Sequence, residues 1–157
     1  MTFKTSNVSK TFEVSALDEL RALLHSARGS IRLGAIYALK TAGYRRTAPP
    51  EIVTDMIRLL TDPVADVRSR AAYVLGDMAA YCDISGAATA LGKAILDTGG
   101  DVRYWAIKAL HNAAWRKMDL RAALPFFSLV LLERSEQERI EAARVLQSMA
   151  VYDITPV

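Results

Sequence analysis

One pattern recurs four times along the chain, and it restricts the possible folds more than any other feature. The dipeptides Ile31-Arg32, Val67-Arg68, Val102-Arg103 and Glu138-Arg139 follow one another at spacings of 36, 35 and 36 residues. In the same register an alanine and then a leucine recur, at Ala35, Ala71, Ala106 and Ala142 and at Leu39, Leu75, Leu110 and Leu146. This self-similarity predicts an array of repeated structural units.

The clearest copy is the stretch from Asp62 to Ala79. Its apolar residues recur at spacings of three and four, which places them on one face of a helix: Val67, Ala71, Val74, Leu75 and Met78. Asp62 followed by Pro63 is typical of a helix start, since an aspartate caps free N–H groups and proline suits the first helical position. The alanines in this narrow face predict that another helix approaches closely.

The segments before each copy align at the same offsets, at Leu17, Val53, Ala88 and Leu124. Each unit is therefore predicted to contain two helices, A and then B, in units of about 15–43, 49–79, 84–114 and 118–150. An N-terminal arm (1–14) and a C-terminal tail (151–157) flank this single domain. Gly43 stands where a helix C-cap belongs, and Pro125 requires that the fourth A helix either begins near Leu124 or is kinked.

Composition agrees with one globular domain. The 157 residues are 52% hydrophobic and 24% charged, with a formal net charge of +3 that permits an acidic partner without requiring one. A single cysteine, Cys82, excludes an internal disulfide framework and fits a reducing compartment. No stretch approaches the roughly 18 apolar residues of a membrane span. We therefore expect a cytoplasmic protein.

The phrase D-x-x-x-D-V-R-x-x-A-x-x-x-L is complete in the second and third units, from Asp62 to Leu75 and from Asp97 to Leu110. Together with two helices per unit, it resembles HEAT-like repeats of the phycobilisome-lyase type. This resemblance implies an all-α fold, a short right-handed α-solenoid of four two-helix repeats. It also implies that the B helices line a concave side, which in this family commonly binds a partner.

The resemblance further implies a structural role for the arginine column, which comprises Arg32, Arg68, Arg103 and Arg139. In the family this arginine joins one repeat to the next together with the loop aspartate, here Asp66 and Asp101. The alternative is a ladder of phosphate clamps. Partly buried Arg–Asp pairs that also satisfy loop carbonyls are the better interpretation.

Helix geometry defines a second column of residues, on the side of each B helix opposite its apolar face. Aromatic and charged residues dominate it, with Arg70 and Trp105 on its flank; Tyr44 belongs to it, and Trp105 is expected to pack between helices. Tyrosine, tryptophan and arginine often anchor protein interfaces. We name the predicted partner-binding set the B-helix strip: Tyr37, Lys40, Arg70, Tyr73, Asp77, Tyr104, Lys108, His111, Trp115 and Arg144.

Catalytic and cofactor chemistry finds little support. The two histidines, His25 and His111, have no neighbour at metal-ligand spacing, so we expect no metal site. Cys82 in a linker between repeats is expected to be inert. Gly99-Gly100 precedes a helix but lacks the Lys-Ser/Thr of a phosphate loop. The sequence predicts neither a catalytic residue nor a cofactor.

The fourth A helix, predicted at about Leu120 to Leu132, is apolar on all sides. Its core positions are Leu124, Phe127, Val130 and Leu131, and its outer face carries Phe126, Leu129 and Leu132. Because a helix of this kind is normally covered, we expect the arm, the tail or a second subunit to pack over it, and a protein contact is favoured.

The leading hypothesis is a non-enzymatic interaction module, a scaffold or adaptor that binds a protein or peptide along the B-helix strip. One alternative is a nucleic-acid-binding array like the DNA glycosylases, although the modest net charge and Asp77 count against it. The other is a helper subunit of a lyase-type enzyme, which would need a second protein.

Overall fold

A computed structural model describes residues 16–43, 46 and 49–151 of the chain. The first helix, α1, spans residues 16–24. The others are α2 (Gly29–Thr41), α3 (Pro50–Leu59), α4 (Ala65–Met78), α5 (Ala88–Ala94), α6 (Gly100–Trp115), α7 (Leu124–Glu133) and α8 (Glu136–Val151). Short 3₁₀ turns at Ser85–Ala87 and Arg121–Ala123 lead into α5 and α7. No strand occurs in these described ranges. The predicted arm, Tyr44 and residues 152–157 of the predicted tail lie outside them.

The odd-numbered helices form an A layer and the even-numbered helices a B layer. The A helices α3, α5 and α7 each pack on the B helix of their own unit, and α4 lies between α2 and α6. The predicted face of α4 is completely buried at Val67, Ala71 and Leu75. The core therefore runs continuously from unit to unit, because no single pair of helices buries its own apolar faces.

A close helix approach occurs between α4 and α6, at a glycine outside the apolar face. A Cβ atom placed on Gly76 would lie 3.2 Å from the Cα atom of Ala109, so the two backbones nearly touch. The Nδ2 atom of Asn112 also donates to the carbonyl oxygen of Gly76, at 3.1 Å. This contact fixes the second unit against the third.

Gly43 and Pro125 lie at the helix ends for which the sequence made predictions. Gly43 follows α2 with a φ of +82°, a left-handed conformation that favours glycine, and this confirms the predicted cap. Pro125 lies in the first turn of α7, where its missing N–H has no helical partner in any case. The fourth A helix thus begins at Leu124 without a kink at the proline.

The predicted start of α4 at Asp62 is wrong. The helix begins at Ala65, and the Oδ1 atom of Asp62 accepts a hydrogen bond from the Val64 N–H group at 2.9 Å in the turn before it. Asp62 is instead held by an arginine of the preceding unit, as described below. The carboxylate of Asp62 therefore serves both the turn before α4 and a neighbouring unit.

The predicted core of α7 is only partly correct. Phe127 and Val130 are buried, but Leu124 and Leu131 are exposed. Phe126, assigned to the outer face, packs on the core instead, because Gly92 of α5 leaves space for its ring. Leu129 and Leu132 are exposed as predicted, with Leu132 79% exposed.

Candidate functional site

The arginine column joins neighbouring units through one repeated geometry. At the first joint, the Nε and Nη2 atoms of Arg32 donate to the two carboxylate oxygens of Asp62, at 2.6 and 2.7 Å. Its Nη1 atom donates to the loop carbonyl of Ser26 in its own unit, at 2.7 Å. A single buried guanidinium therefore holds its own loop and the next unit together.

The next two joints repeat this arrangement. Arg68 donates from Nε and Nη2 to Asp97, at 2.7 and 2.9 Å, and from Nη1 to the carbonyl of Asp62, at 2.8 Å. Arg103 donates from Nε to Glu138 and from Nη1 to the carbonyl of Asp97, at 2.9 Å. Because these donor groups already face protein acceptors, the three arginines are poorly placed to clamp phosphates.

The acidic partners differ from those implied by the resemblance. Asp66 and Asp101 are exposed in the first turns of α4 and α6 and do not bind the column, so that assignment is wrong. The carboxylates that do bind it, missed from the sequence, are Asp62, Asp97 and Glu138. Asp62 and Asp97 are the first aspartates of the repeated phrase, so its register contained the signal.

The fourth unit departs from the pattern for a structural reason. Its Glu138 stands in the slot that holds valine in the second and third units, and its carboxylate replaces the loop aspartate as the partner of Arg103. Arg139 donates from Nη1 to the Arg134 carbonyl at 3.1 Å, within its own unit. No unit follows it among the described residues.

The joints also change the acidity of their carboxyl groups. Burial alone would raise the pKa of Asp62, but the hydrogen bonds from Arg32 and from the Val64 N–H group outweigh it, and the pKa is lowered. The pKa of Asp97 is lowered in the same way, by Arg68 and the Gly99 N–H group against the effect of burial. Both carboxylates are thus ionised partners of their arginines at neutral pH.

The B-helix strip runs across all four B helices, and its first half is a cluster of tyrosines and cations. The Nζ atom of Lys40 donates to the Tyr73 hydroxyl at 2.8 Å and lies 4.4 Å from the centre of its ring. Arg70 donates to the Tyr37 hydroxyl at 2.5 Å, and its Cζ atom lies 4.4 Å from that ring and 5.2 Å from the Tyr73 ring. We call these four residues, Tyr37, Lys40, Arg70 and Tyr73, the donor cluster.

Trp105 connects the two halves of the strip. Its ring meets Tyr73 edge to face at 4.6 Å and Tyr104 at 4.9 Å. It is half-buried between α4 and α6, where its role is packing, and Tyr104 remains 50% exposed beside it. The aromatic contacts therefore extend from α4 to α6, and Arg70 links them to Tyr37 on α2.

The second half of the strip carries two cations that share one carboxylate. Lys108 Nζ lies 3.3 Å from a carboxylate oxygen of Glu141, and Arg144 Nη1 lies 2.9 Å from the other oxygen. Glu141 was missed in the sequence, although its spacing of three from Arg144 on one helix is a recognised signal. This half of the strip therefore keeps one net positive charge, whereas neither cation of the donor cluster pairs with a carboxylate of the described residues.

His111 and Trp115 form the far end of the strip. Trp115 is 63% exposed, and its Nε1 atom donates to Nε2 of His111 at 2.9 Å. Burial, together with the charge of Lys108, lowers the pKa of His111, which is consistent with a neutral ring that accepts this bond. Both side chains line a cavity of about 310 Å³ between α6 and α8, which Arg144 also borders.

A larger groove, of about 630 Å³, lies between the second and third units on the side of the A helices. Its charged lining includes Asp62, Arg68 and Asp97, which are the groups that form the inter-repeat joints. Those groups are already paired with each other or with Arg32. The groove's other charged residues, on helices of the A layer, are Arg58 and Lys93.

The described residues offer little for catalysis. Among them, no group of three or more histidine, cysteine or acidic side chains is placed to hold a metal ion. Burial, and then the charge of Asp83, raises the pKa of the Cys82 thiol, so this sulfur is less nucleophilic than an ordinary cysteine. No helix within the described ranges combines the length and apolarity needed to cross a bilayer.

Comparisons with known proteins agree with the repeat architecture. A family model described as HEAT repeats matches residues 17–111, which confirms the resemblance seen in the sequence. No curated protein matches the chain.

Solved structures of designed proteins share the fold. An engineered protein is 23% identical with a TM-score of 0.68, and the alignment covers 90% of this chain and 65% of that one. A designed armadillo repeat protein in complex with the peptide (KR)4 is 21% identical with a TM-score of 0.66, covering 90% of this chain and 67% of that one. At this identity the likeness concerns the fold alone, and it confirms an all-α solenoid.

Proposed function

Because the chain belongs to the HEAT-repeat family, we propose that it is a non-enzymatic protein-interaction module that binds a protein or peptide along the B-helix strip. One observation carries the proposal. The B layer presents Tyr37 on α2 and Tyr104 and Trp115 on α6, at 43%, 50% and 63% exposure. Large exposed aromatic surfaces of this kind commonly mark binding sites.

The arrangement of these aromatics supports binding more than simple exposure. Tyr37 is held by Arg70, Tyr104 by Trp105, and Trp115 by His111. Rings fixed in this way lose little freedom when a partner covers them, so more of the contact energy contributes to affinity. The designed armadillo repeat protein of similar fold was solved with a peptide, which illustrates that such a scaffold can carry a peptide site.

Paired alanine substitutions test the proposal. We expect the Y104A/W115A variant to lose a partner that the wild-type chain captures from its source cell. Tyr81 provides a matched control, since it is also 50% exposed but lies in a loop outside the strip. If Y81A, wild type and Y104A/W115A capture the same partner in equal amounts, the strip is not the binding surface.

Two further parts of the proposal concern setting and assembly. A contact between copies through the apolar surface of α7 remains a prediction, which rests on Leu129, Leu131 and Leu132. Sedimentation over a dilution series tests it.

The cytoplasmic setting rests on the single, free Cys82.

A further inference from the structure

The donor cluster has an unusual hydrogen-bonding balance. A phenol hydroxyl has one proton to donate and lone pairs that accept. The hydroxyls of Tyr73 and Tyr37 already accept from Lys40 and from Arg70. Their own protons are therefore available to an outside acceptor, and no acceptor for either proton lies within hydrogen-bond distance in the described part of the chain.

The two cations of the cluster have no acidic partner within the described ranges. Their neighbours there are phenol oxygens and rings, in contrast to Lys108 and Arg144, which share Glu141. Both cations lie against the same Tyr73 ring, at 4.4 Å for the Nζ atom of Lys40 and 5.2 Å for the Cζ atom of Arg70. The rings hold the cations in place before any ligand arrives.

We infer that the donor cluster binds carboxylate side chains of an acidic peptide segment, and this inference rests on the proposed function. The four groups have free N–H and O–H donors and present no side-chain acceptor to a ligand except the phenol oxygens that are already in use. Such a set selects an anion. Because Lys40, Arg70 and Tyr73 are half-buried, their attraction for an anion is screened less than at an open surface.

The charge pattern of the strip favours an acidic peptide over a nucleic acid. A nucleic acid has evenly spaced phosphates and is usually followed by a continuous series of cations. Here the cations without a paired carboxylate are grouped in the donor cluster, and the strip continues with Asp77, Tyr104 and the pairs that Glu141 forms with two cations. A segment with neighbouring Asp or Glu residues and an adjoining apolar part matches this sequence of surfaces.

Fluorescence anisotropy with a labelled octapeptide of alternating Asp and Glu, (DE)4, tests the inference. We expect K40A/R70A to weaken binding at least about tenfold, since it removes both charged donors. Y37F/Y73F keeps the rings but removes the hydroxyls, and a smaller loss of about threefold is expected. R28A/K93A is the matched control, because it removes the same charge at two exposed cations away from the strip.

The results of this experiment distinguish an acidic-peptide site from the alternatives. If (DE)4 does not bind at low salt, or if R28A/K93A weakens it as much as K40A/R70A does, the inference is wrong. It is also wrong if a duplex DNA binds more tightly than (DE)4 and if that DNA binding depends on Lys40 and Arg70. In each case, loss of the cellular partner on Y104A/W115A substitution would still support the interaction module, so failure of the inference differs from failure of the proposed function.

Discussion

At the scale of single residues, two arginine roles can be distinguished by their partners. Arg32 and Arg68 each bind a carboxylate of the next unit and a carbonyl of their own loop. Arg70, two positions after Arg68, binds only tyrosines. Helix α4 therefore places the guanidinium of Arg68 in a joint and that of Arg70 in the strip, because positions two apart face different sides of a helix.

Removing a joint carboxylate should destabilise the fold. Asp62→Ala leaves the buried guanidinium of Arg32 without its charge partner, and we expect a loss of about 3 kcal/mol in the free energy of unfolding, measured with urea. Asp66→Ala is the control and should change stability by less than about 0.5 kcal/mol, because Asp66 is exposed. Equal losses for both variants would contradict the assignment of the joints.

The joints also predict acid sensitivity. The pKa values of Asp62, Asp97 and Glu138 are lowered in the folded chain, so as the pH falls the unfolded chain takes up protons first. Their contribution is complete above the ordinary carboxyl range near pH 4 and is lost as the pH falls through the lowered folded values. Urea midpoints measured from neutral pH downwards should decrease, and less steeply in Asp62→Ala. An identical decrease in that variant would contradict this account.

At the scale of helices, the closest contact is the α4–α6 interface. A Cβ on Gly76 would come within 3.2 Å of the Cα of Ala109, so a branched side chain cannot enter without separating the helices. We expect Gly76→Val to cost about 1–3 kcal/mol of unfolding free energy. Gly34→Val is the matched control in α2, since nothing lies within 4 Å of its added Cβ. If Gly34→Val loses as much unfolding free energy as Gly76→Val, the packing explanation is wrong.

Helix number, pairing and buried faces could be predicted from the sequence, because a repeat of apolar residues reports directly on a shared core. The role of Asp62 could not, since its carboxylate is bound by an arginine 30 residues away. The partner of Lys108 was missed for a similar reason. Lys108 pairs with Glu141 on the next helix, 33 residues further on, and reasoning from one helix at a time does not include that contact.

At the scale of the whole molecule, joints and strip lie on different parts of the array. The joints stabilise the connection between units near the starts of the B helices, and the strip crosses the B layer from α2 to α8. A partner bound across the strip would contact several units at once. The central claim of this account is that this surface, rather than a loop or the A layer, meets the partner.

Site-specific photo-crosslinking in the source cell tests that claim most directly. A photoreactive phenylalanine analogue replaces Tyr104 in one sample and Tyr81 in another, two positions with the same exposure of 50%. The account predicts a discrete crosslinked protein from position 104 and none of it from position 81. The same crosslinked protein from both positions, or from position 81 alone, would contradict it.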